Sequence, residues 1–210
     1  MKKTVVLVAL FVLPIVAYLF FLSGTNNFGR LPTLTENVVD IDDVDSGVSF
    51  KDKITILGFL GRDVQLKKAN AFNLNQKIYK RFYEFNDFQF IMMVPEGMES
   101  EVAALKSELG TFTDTQKWVF VFAKELEIRT VFEGLETDLK LNTDLSTPYV
   151  FIIDKDGNLR GRTDDEDEGT KYGFDTTSVA ELNNKMEDDV KIILAEYRLA
   201  LKKNTARRDK

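Results

Sequence analysis

Cysteine and histidine, two residue types that carry much of enzyme chemistry, are both absent from the 210-residue sequence. Without a thiolate the protein cannot exchange disulfides or reduce peroxides through cysteine. It also lacks the thiolate and imidazole ligands that bind Cu(I) or structural zinc, and the imidazole of a Ser–His–Asp triad. Two kinds of chemistry stay open: acid–base work by carboxylates, and oxygen-ligand sites for Mg²⁺ or Ca²⁺.

One group of oxygen ligands has a spacing that resembles the start of a calcium loop. Asp154, Asp156 and Asn158 alternate with other residues, as the first ligands of an EF-hand do. The EF-hand also requires a glycine and a glutamate further along the loop. The corresponding places hold Leu159 and Asp165. A hairpin turn accounts for these residues without a metal.

Five consecutive acids, Asp164–Glu168, offer a second cluster of oxygen ligands. They could collect Ca²⁺ or a basic partner, but such a charge run more often forms a solvated face, and we expect an insertion loop. The stretch Gly169–Phe174 that follows could order this loop against the body or present a binding face. No pair of acids has a spacing that singles it out for acid–base catalysis. We therefore predict no catalytic residue, no bound metal or other cofactor, and no enzymatic activity.

The overall charge argues against nucleic acid as a partner. The formal net charge is −6, and it becomes about −8 when Lys2 and Lys3 are left out. Nucleic-acid binding relies on lysine and arginine residues that neutralise phosphates. This chain has an excess of acids instead, and we predict that it binds no nucleic acid.

An apolar segment near the N terminus predicts a membrane anchor within residues 1–25. Thr4–Leu22 covers 19 residues, which is long enough to span hydrocarbon and longer than a typical signal-peptide core. Bulky Phe20 and Phe21 stand where a cleavage site would need small residues, which favours an uncleaved signal-anchor over a cleaved signal. The basic residues before the segment should stay cytoplasmic. We expect a single-pass protein of the bacterial inner membrane, with its C-terminal body in the periplasm.

The rest of the chain is interpreted as a linker followed by one folded domain. We interpret residues 26–50 as the linker and expect a short first strand within it, near Val38–Val44. The domain is expected over residues 51–203 and a basic tail over 204–210. Apolar runs predict strands at 53–61, 87–94, 117–123, 148–154 and 158–163. Helical spacing predicts helices at 72–85, 99–109 and 125–135, and a long last helix that starts at the capping box Ser178/Glu181.

These elements follow one another in the order βαβαβαββα. Strands separated by helices imply parallel pairs joined by right-handed crossovers, and the final hairpin adds antiparallel strands. The sequence therefore predicts an α/β domain behind a single N-terminal transmembrane helix.

Three stretches of the sequence resemble a known family. Residues 146–159 (STPYVFIIDKDGNL) are similar to a strand and hairpin of thioredoxin-like proteins, in which a proline opens the strand with a cis peptide bond. Trp118 in KWVFVF with the short helix after it, and the closing helix 188–197 (DDVKIILAEY), resemble the Sco/SenC branch of the thioredoxin superfamily. The resemblance covers roughly residues 53–200. It implies a thioredoxin-like fold and a setting in the cell envelope.

The residues that carry the family's function are missing. Sco/SenC proteins bind copper and assist cytochrome c oxidase assembly through a C-x-x-x-C pair and a distal histidine. Here the loop after the first core strand is RDVQLKK (62–68), and the stretch near the distal histidine is NTDLST (142–147). The resemblance therefore implies the scaffold without the copper or thiol chemistry, that is, a pseudo-redox domain.

The resemblance also places a candidate binding edge. Arg62 and Asp63 occupy the position of the redox loop and would face Thr147 and Pro148, with the Thr147–Pro148 bond expected to be cis. Arg62 could clamp a carboxylate or phosphate, or it could simply pair with Asp63. In thioredoxin relatives this geometry exposes backbone to which an extended peptide can add as a strand, and we expect the same here.

These observations lead to one main function and two alternatives. The main one is a membrane-anchored, extracytoplasmic interaction or assembly factor that is Sco/SenC-like, with respiratory-complex assembly as the process that the resemblance suggests. Its partners would be the inner membrane, through Thr4–Leu22, and a protein of the envelope. The alternatives are a thiol-independent enzyme and a small-molecule or peptide carrier, both using the Arg62/Pro148 edge.

Overall fold

Four apolar runs of the sequence form the centre of a seven-stranded sheet. The computed structural model describes residues 10–16 and 29–208. The second and third strands are buried along their whole length, as expected for strands that are covered on both faces. In chain order the strands are β1 Thr33–Thr35, β2 Ile54–Leu60, β3 Phe88–Pro95, β4 Trp118–Ala123, β5 Ser146–Ile153, β6 Leu159–Arg160, β7 Arg162–Asp165, β8 Gly169–Lys171 and β9 Phe174–Asp175.

The order of strands across the sheet is β1-β6-β5-β2-β3-β4, and β9 pairs with the first half of β5. Strands β2, β3 and β4 run parallel. Strands β5, β6 and β1 continue the sheet as antiparallel neighbours. Parallel strands linked by helices and extended by an antiparallel hairpin form a thioredoxin-like α/β fold. The predicted fold class of the body is therefore confirmed.

Helices cover both faces of the sheet. Their bounds are α1, Lys68–Leu74 continued by the π-helical turn Asn75–Tyr79 and Lys80–Phe82; α2, Glu99–Gly110; α3, Glu125–Glu133; and α4, Val179–Glu181 continued by the π-helical turn Leu182–Met186 and Glu187–Arg208. Helices α1, α2 and α4 pack around Trp118 on one face, and α3 packs around Phe59 on the other. The predicted last helix is confirmed, and four apolar residues at helical spacing along it are fully buried: Leu182, Met186, Val190 and Ile193.

The segment expected as a linker, residues 26–50, packs on the sheet over much of its described length. Strand β1 pairs with β6. Val38, Ile41 and Phe50 are buried in the same hydrophobic cluster as α3. These apolar residues are irregularly spaced in a polar stretch, so they have neither the helical nor the strand period that marks a buried element in a sequence.

The strand expected near Val38–Val44 is wrong, because those residues have an irregular backbone followed by turns. The carboxylate of Asp40 explains the turns. Its Oδ1 accepts the backbone N–H of Ile41 at 2.7 Å and that of Phe50 at 2.9 Å. A side chain that binds nearby backbone in this way competes with strand formation.

The acidic run Asp164–Glu168 forms the tip of a hairpin, and four of its five side chains are exposed as expected, whereas Asp165 is buried. Strands β7 and β8 pair antiparallel, and Asp165 and Lys171 are buried. Helix α4 supplies their partners: Lys185 lies 2.7 Å from Asp165, and Glu181 lies 2.8 Å from Lys171. Burial alone would lower the pKa of Lys171, but hydrogen bonds to its acidic neighbours outweigh burial and raise that pKa. The hairpin is therefore held by ion pairs with residues that lie later in the chain.

A buried arginine ties the start of the body to its last helix. The guanidinium of Arg160 lies 2.9 Å from Asp154 and 2.8 Å from Glu196. Its Nε donates to the carbonyl oxygen of Leu31 at 2.8 Å, and the Leu31 N–H donates to Glu196 at 2.9 Å. The side chains of Arg160 and Asp154 are only 7% and 2% exposed, so water contributes little to neutralising either charge.

The calcium-like spacing at Asp154 serves a hairpin turn. Its Oδ1 accepts the backbone N–H of Asp156 at 3.0 Å and that of Asn158 at 2.9 Å, while Oδ2 is held by Arg160. Gly157 completes the turn with a φ of +80°, which glycine adopts without strain. Both carboxylate oxygens are thus engaged by the protein itself.

The predicted anchor Thr4–Leu22 lies mostly outside the described residues. Its described part, residues 10–16, is helical. Within residues 10–16 and 29–208, none of the helices combines the length and the apolar character needed to cross a bilayer.

Candidate functional site

The loop after β2 and the segment before β5 meet at the carboxyl end of the parallel strands. Leu60 lies opposite Ser146 in the sheet, and the Arg62 N–H donates to the carbonyl oxygen of Asp144 at 2.8 Å. Gly61 permits this approach: its φ is +70°, and a Cβ atom there would lie 2.6 Å from that same oxygen. The two segments that the resemblance placed together are therefore in contact.

Polar atoms hold the turn before β5 in one shape. Asp144 Oδ1 accepts the N–H and the O–H of Ser146 at 3.1 and 2.7 Å, and the Asn142 N–H donates to the carbonyl oxygen of Ser146 at 2.8 Å. Leu145 is fully buried with a φ of +65°. A left-handed conformation costs a non-glycine residue about 1–3 kcal/mol and persists only where surrounding contacts enforce it.

Arg62 and Asp63 both have local partners, but they do not pair with each other. The Arg62 guanidinium lies 2.8 Å from Glu125, the first residue of α3, and both side chains are about half exposed. The Asp63 carboxylate accepts the N–H of Leu66 at 3.2 Å and closes its own loop. Hydrogen bonds from Arg129, assisted by the charge of Arg62, hold the pKa of Glu125 below its usual value. The ion pair therefore joins the loop after β2 to the start of α3.

Replacing Arg62 by alanine is expected to change the free energy of unfolding by less than about 1 kcal/mol, because exposed ion pairs contribute little to stability. Thermal unfolding can be followed by the fluorescence of Trp118, the single tryptophan of the chain, which is fully buried. Arg129→Ala, which removes the other cation beside Glu125, serves as the matched control. A markedly larger loss for Arg62→Ala alone would show that Arg62 is a structural residue.

The structure corrects the expectation at Pro148. The Thr147–Pro148 peptide bond is trans, and no cis bond occurs in the part of the chain that the structure describes. The carbonyl oxygen of Pro148 accepts both the N–H and the O–H of Thr176, at 2.9 and 2.6 Å. Strand β9 pairs with the next two residues of β5. The expected cis bond is thus wrong, and the chain itself already occupies the backbone that an extended peptide was expected to use.

A small cavity lies beside Thr147, between β2, β5 and the start of α1. Its volume of about 20 Å³ is close to the space that one water molecule needs. Polar and apolar side chains share its wall, among them Lys67, Asn70, Thr147, Thr176, Leu60 and Met92. A cavity of this size cannot enclose an organic ligand.

Two exposed leucines belong to the loop and the helix that the Arg62–Glu125 ion pair joins. Leu66 follows Arg62 in the same loop and Leu126 follows Glu125 in α3, and each leucine is 75% exposed. We call these four residues the carboxyl-end surface. Single exposed leucines are normal on a protein surface, so it is the place of these two, on joined elements at the carboxyl end of the sheet, that makes this surface a candidate site.

The sequence patterns did not single out Leu66 or Glu125, and Leu126 entered only as part of the helix predicted over 125–135. A signal for Leu126 was available. The buried face of α3 has helical spacing, Ile128, Val131 and Phe132, and Leu126 lies off that face. The sequence offered no comparable signal for Leu66, which lies in a short polar loop. Within residues 10–16 and 29–208, no group of three or more acidic side chains is arranged to hold a metal ion.

Comparisons with known proteins identify similar folds. No protein-family model matches the chain, and no curated protein does. Among solved structures, the soluble domain of Sco1 from Bacillus subtilis has 14% identity and a TM-score of 0.44, covering 79% of this chain and 97% of that one. A SCO1/SenC family lipoprotein from Bacillus anthracis has 17% identity and a TM-score of 0.41, covering 81% and 95%. A putative protein disulfide isomerase from Bacteroides thetaiotaomicron has 14% identity and a TM-score of 0.44, covering 80% and 92%. These similarities concern the fold alone.

Proposed function

We propose that this chain is a membrane-anchored, extracytoplasmic binding protein that holds a protein partner on its carboxyl-end surface. The observation that carries the proposal is the pair of exposed leucines, Leu66 and Leu126, on two elements that the Arg62–Glu125 ion pair joins. Ligands of open α/β sheets bind at the carboxyl ends of the strands, which is where this surface lies. An apolar contact beside a polar, partly exposed ion pair is the usual make-up of a protein interface.

Binding is better supported than catalysis or small-molecule transport. The sequence offers no thiol and no imidazole. The charges of Arg62 and Glu125 are directed at each other, so neither is poised to transfer a proton to a substrate. The adjacent cavity of about 20 Å³ holds no more than a water molecule. A thiol-independent enzyme or a carrier at the Arg62/Pro148 edge would require the surface to open.

The cellular setting is proposed from the sequence. Thr4–Leu22 has the length and apolar character of a signal-anchor, and the basic residues before it favour a cytoplasmic N terminus. The anchor would hold the body in the periplasm, at the outer side of a bacterial inner membrane. The resemblance to Sco/SenC proteins suggests respiratory-complex assembly as the process. Because the copper ligands of that family are missing, the role would be to bind and position a partner.

Site-specific photocrosslinking in cells tests the partner surface. A photoreactive phenylalanine analogue at position 66 or 126 of the full-length chain is expected to give one shared adduct in the membrane fraction. Leu66→Glu, combined with the analogue at position 126, is expected to weaken that adduct strongly, because a charge replaces an apolar contact.

The matched control is the same analogue at Phe85, which is 44% exposed and lies just before the amino end of β3. Position 85 should not give the shared adduct. If positions 66 and 126 give no adduct, or only the adducts that position 85 gives, the carboxyl-end surface does not bind the proposed partner.

A further inference from the structure

One edge of the sheet is a long apolar strand without a neighbour. The sheet ends on one side at β1, a strand of three residues, and on the other at β4, a strand of six. The sequence of β4 is WVFVFA, without charge or proline. A flat, apolar edge strand offers its backbone to another chain unless something covers it. Strand β4 is therefore the edge at which a further strand could add.

The pairing of β4 shows which of its residues face outward. The Phe90 N–H donates to the carbonyl oxygen of Lys117, and the Glu96 N–H donates to that of Ala123. In a parallel ladder, alternate residues of a strand direct both backbone groups to the same side. Phe120 and Phe122 must then direct their N–H and C=O groups away from β3. Within the described part of the chain, the N–H and C=O groups of these two residues have no hydrogen-bond partner.

Two lysines, Lys106 and Lys124, lie beside this edge. Lys106 of α2 donates to the carbonyl oxygen of Trp118 at 3.1 Å and lies 5.9 Å from the centre of the Phe120 ring. Lys124 follows the strand, whereas the ammonium of Lys117 lies on the side of β3, where it donates to the carbonyl oxygen of Phe85. Neither Lys106 nor Lys124 forms an ion pair with a carboxylate in the described part of the chain. A strand that adds here would gain from acidic side chains.

A second copy of this chain fits the edge less well. If two β4 strands paired antiparallel about a two-fold axis near Phe120, the two copies of Lys106 would lie close together, because Lys106 lies beside Phe120. Like charges in direct proximity oppose such pairing. The lysines therefore disfavour self-association and favour an acidic strand from another protein.

We propose that an extended, acidic segment of the partner protein adds to β4 as a further strand. Its backbone would bind the outward groups of Phe120 and Phe122, and its acids would meet Lys106 and Lys124. Strand β4 leads directly into α3, so the added segment would reach Leu126 of the carboxyl-end surface. The inference rests on the proposed function and specifies how the partner binds. Strand addition was expected at β5, but β9 already pairs there. The added strand would bind at the open edge of the sheet instead.

Hydrogen exchange on the full-length chain in detergent micelles tests the proposal. The probe is a short synthetic peptide of alternating valine and threonine with glutamates at both ends, and its counterpart carries lysines instead. The acidic peptide is expected to slow exchange of the Phe120 and Phe122 amides by about tenfold or more, because added strands protect edge amides. It should also bind about tenfold more tightly than the lysine peptide, through complementary charge.

Charge reversal at the edge provides the control. Lys106→Glu with Lys124→Glu should reverse the preference between the two peptides, whereas Lys51→Glu with Arg198→Glu, at exposed sites outside β4, should leave it unchanged.

No protection at millimolar acidic peptide would overturn the inference, and so would equal binding of both peptides. Protection that rises with protein concentration alone would show that a second copy is the occupant. Photocrosslinks at positions 66 and 126 without protection of β4 would leave the proposed function standing and refute strand addition.

Discussion

Replacing Arg160 by methionine is expected to lower the free energy of unfolding by about 3–5 kcal/mol, as removal of one member of a buried ion pair does. The substitution keeps much of the side-chain volume but leaves the Asp154 carboxylate, 2% exposed, without its cation. It also removes the donor to the Leu31 carbonyl and the contact with Glu196. The start of the body would then lose its connection to α4.

Thermal unfolding of the full-length chain, followed through Trp118 fluorescence, measures the effect. The informative control is the double variant Arg160→Met with Asp154→Asn. An asparagine keeps an oxygen that can accept the N–H groups of the turn, so the double variant removes both charges and leaves the hairpin its acceptor. It is expected to recover part of the lost stability, because the more deeply buried of the two carboxylates that Arg160 neutralises is gone and only Glu196 is left without that partner. A loss below about 1 kcal/mol for Arg160→Met would contradict the role of the network, since that is the range of exposed ion pairs.

Gly61→Ala is expected to lower the free energy of unfolding by about 2–5 kcal/mol. Two costs add up to this loss: an alanine in a left-handed conformation costs about 1–2 kcal/mol, and overpacking costs about 1–3 kcal/mol. The added Cβ would lie 2.6 Å from the carbonyl oxygen of Asp144 and 2.8 Å from the backbone nitrogen of Ser146. Both atoms belong to backbone, so rotation of a side chain cannot relieve the contact. We also expect the photocrosslink at position 66 to weaken, because Arg62 and its loop would shift away from the turn before β5.

Gly157→Ala separates the two contributions. Gly157 has a φ of +80°, but nothing lies within 4 Å of a Cβ atom built there. The Gly157→Ala variant should therefore lose only the free energy of unfolding that the left-handed conformation costs, about 1–2 kcal/mol. Denaturant unfolding of both variants gives the difference directly. Equal losses at the two positions would mean that the close approach at Gly61 adds nothing to stability.

The central strands of the fold were predictable because their signal is local. Strands β2, β3 and β5 are continuous apolar runs, and a chain can bury such runs only between two layers. The apolar stripe of α4 was predictable for the same reason. Each of these elements carries its own pattern over six or more residues, so distant contacts did not need to be known.

The hairpin β7–β8 and the packed segment before β2 could not be predicted in this way. Asp165 and Lys171 are buried because Lys185 and Glu181 of α4 reach them, and a sequence pattern does not show such pairs. Phe50 and Ile41 are buried because Asp40 folds a loop over the sheet. In both places contacts with distant parts of the chain bury residues that their polar surroundings in the sequence predict to be exposed.

The candidate site shows the same division. The resemblance to thioredoxin-like proteins implied that the Arg62 loop meets the segment before Pro148, and the structure brings the two together. The partner of Arg62 did not follow, because Glu125 belongs to a helix whose position depends on the whole sheet. Neither did the occupation of the Pro148 carbonyl by Thr176, since that contact requires β9, a strand of two residues.

The Arg160 network has a consequence for the timing of folding during synthesis. Leu31 is bound by Arg160, 129 positions later in the chain, and by Glu196, 165 positions later. At ribosomal rates of about 5–20 residues per second, about 8–33 seconds separate the emergence of Leu31 from that of Glu196. The contacts of Leu31 with Arg160 and Glu196 must therefore wait until those distant residues have emerged. Val38, Ile41 and Phe50 pack in the cluster of α3, whose last buried member is Leu159, and until that residue has emerged they have no complete surface to pack on. We therefore expect a chaperone that guards this nascent chain to bind there first, and the later strands of the sheet to release it.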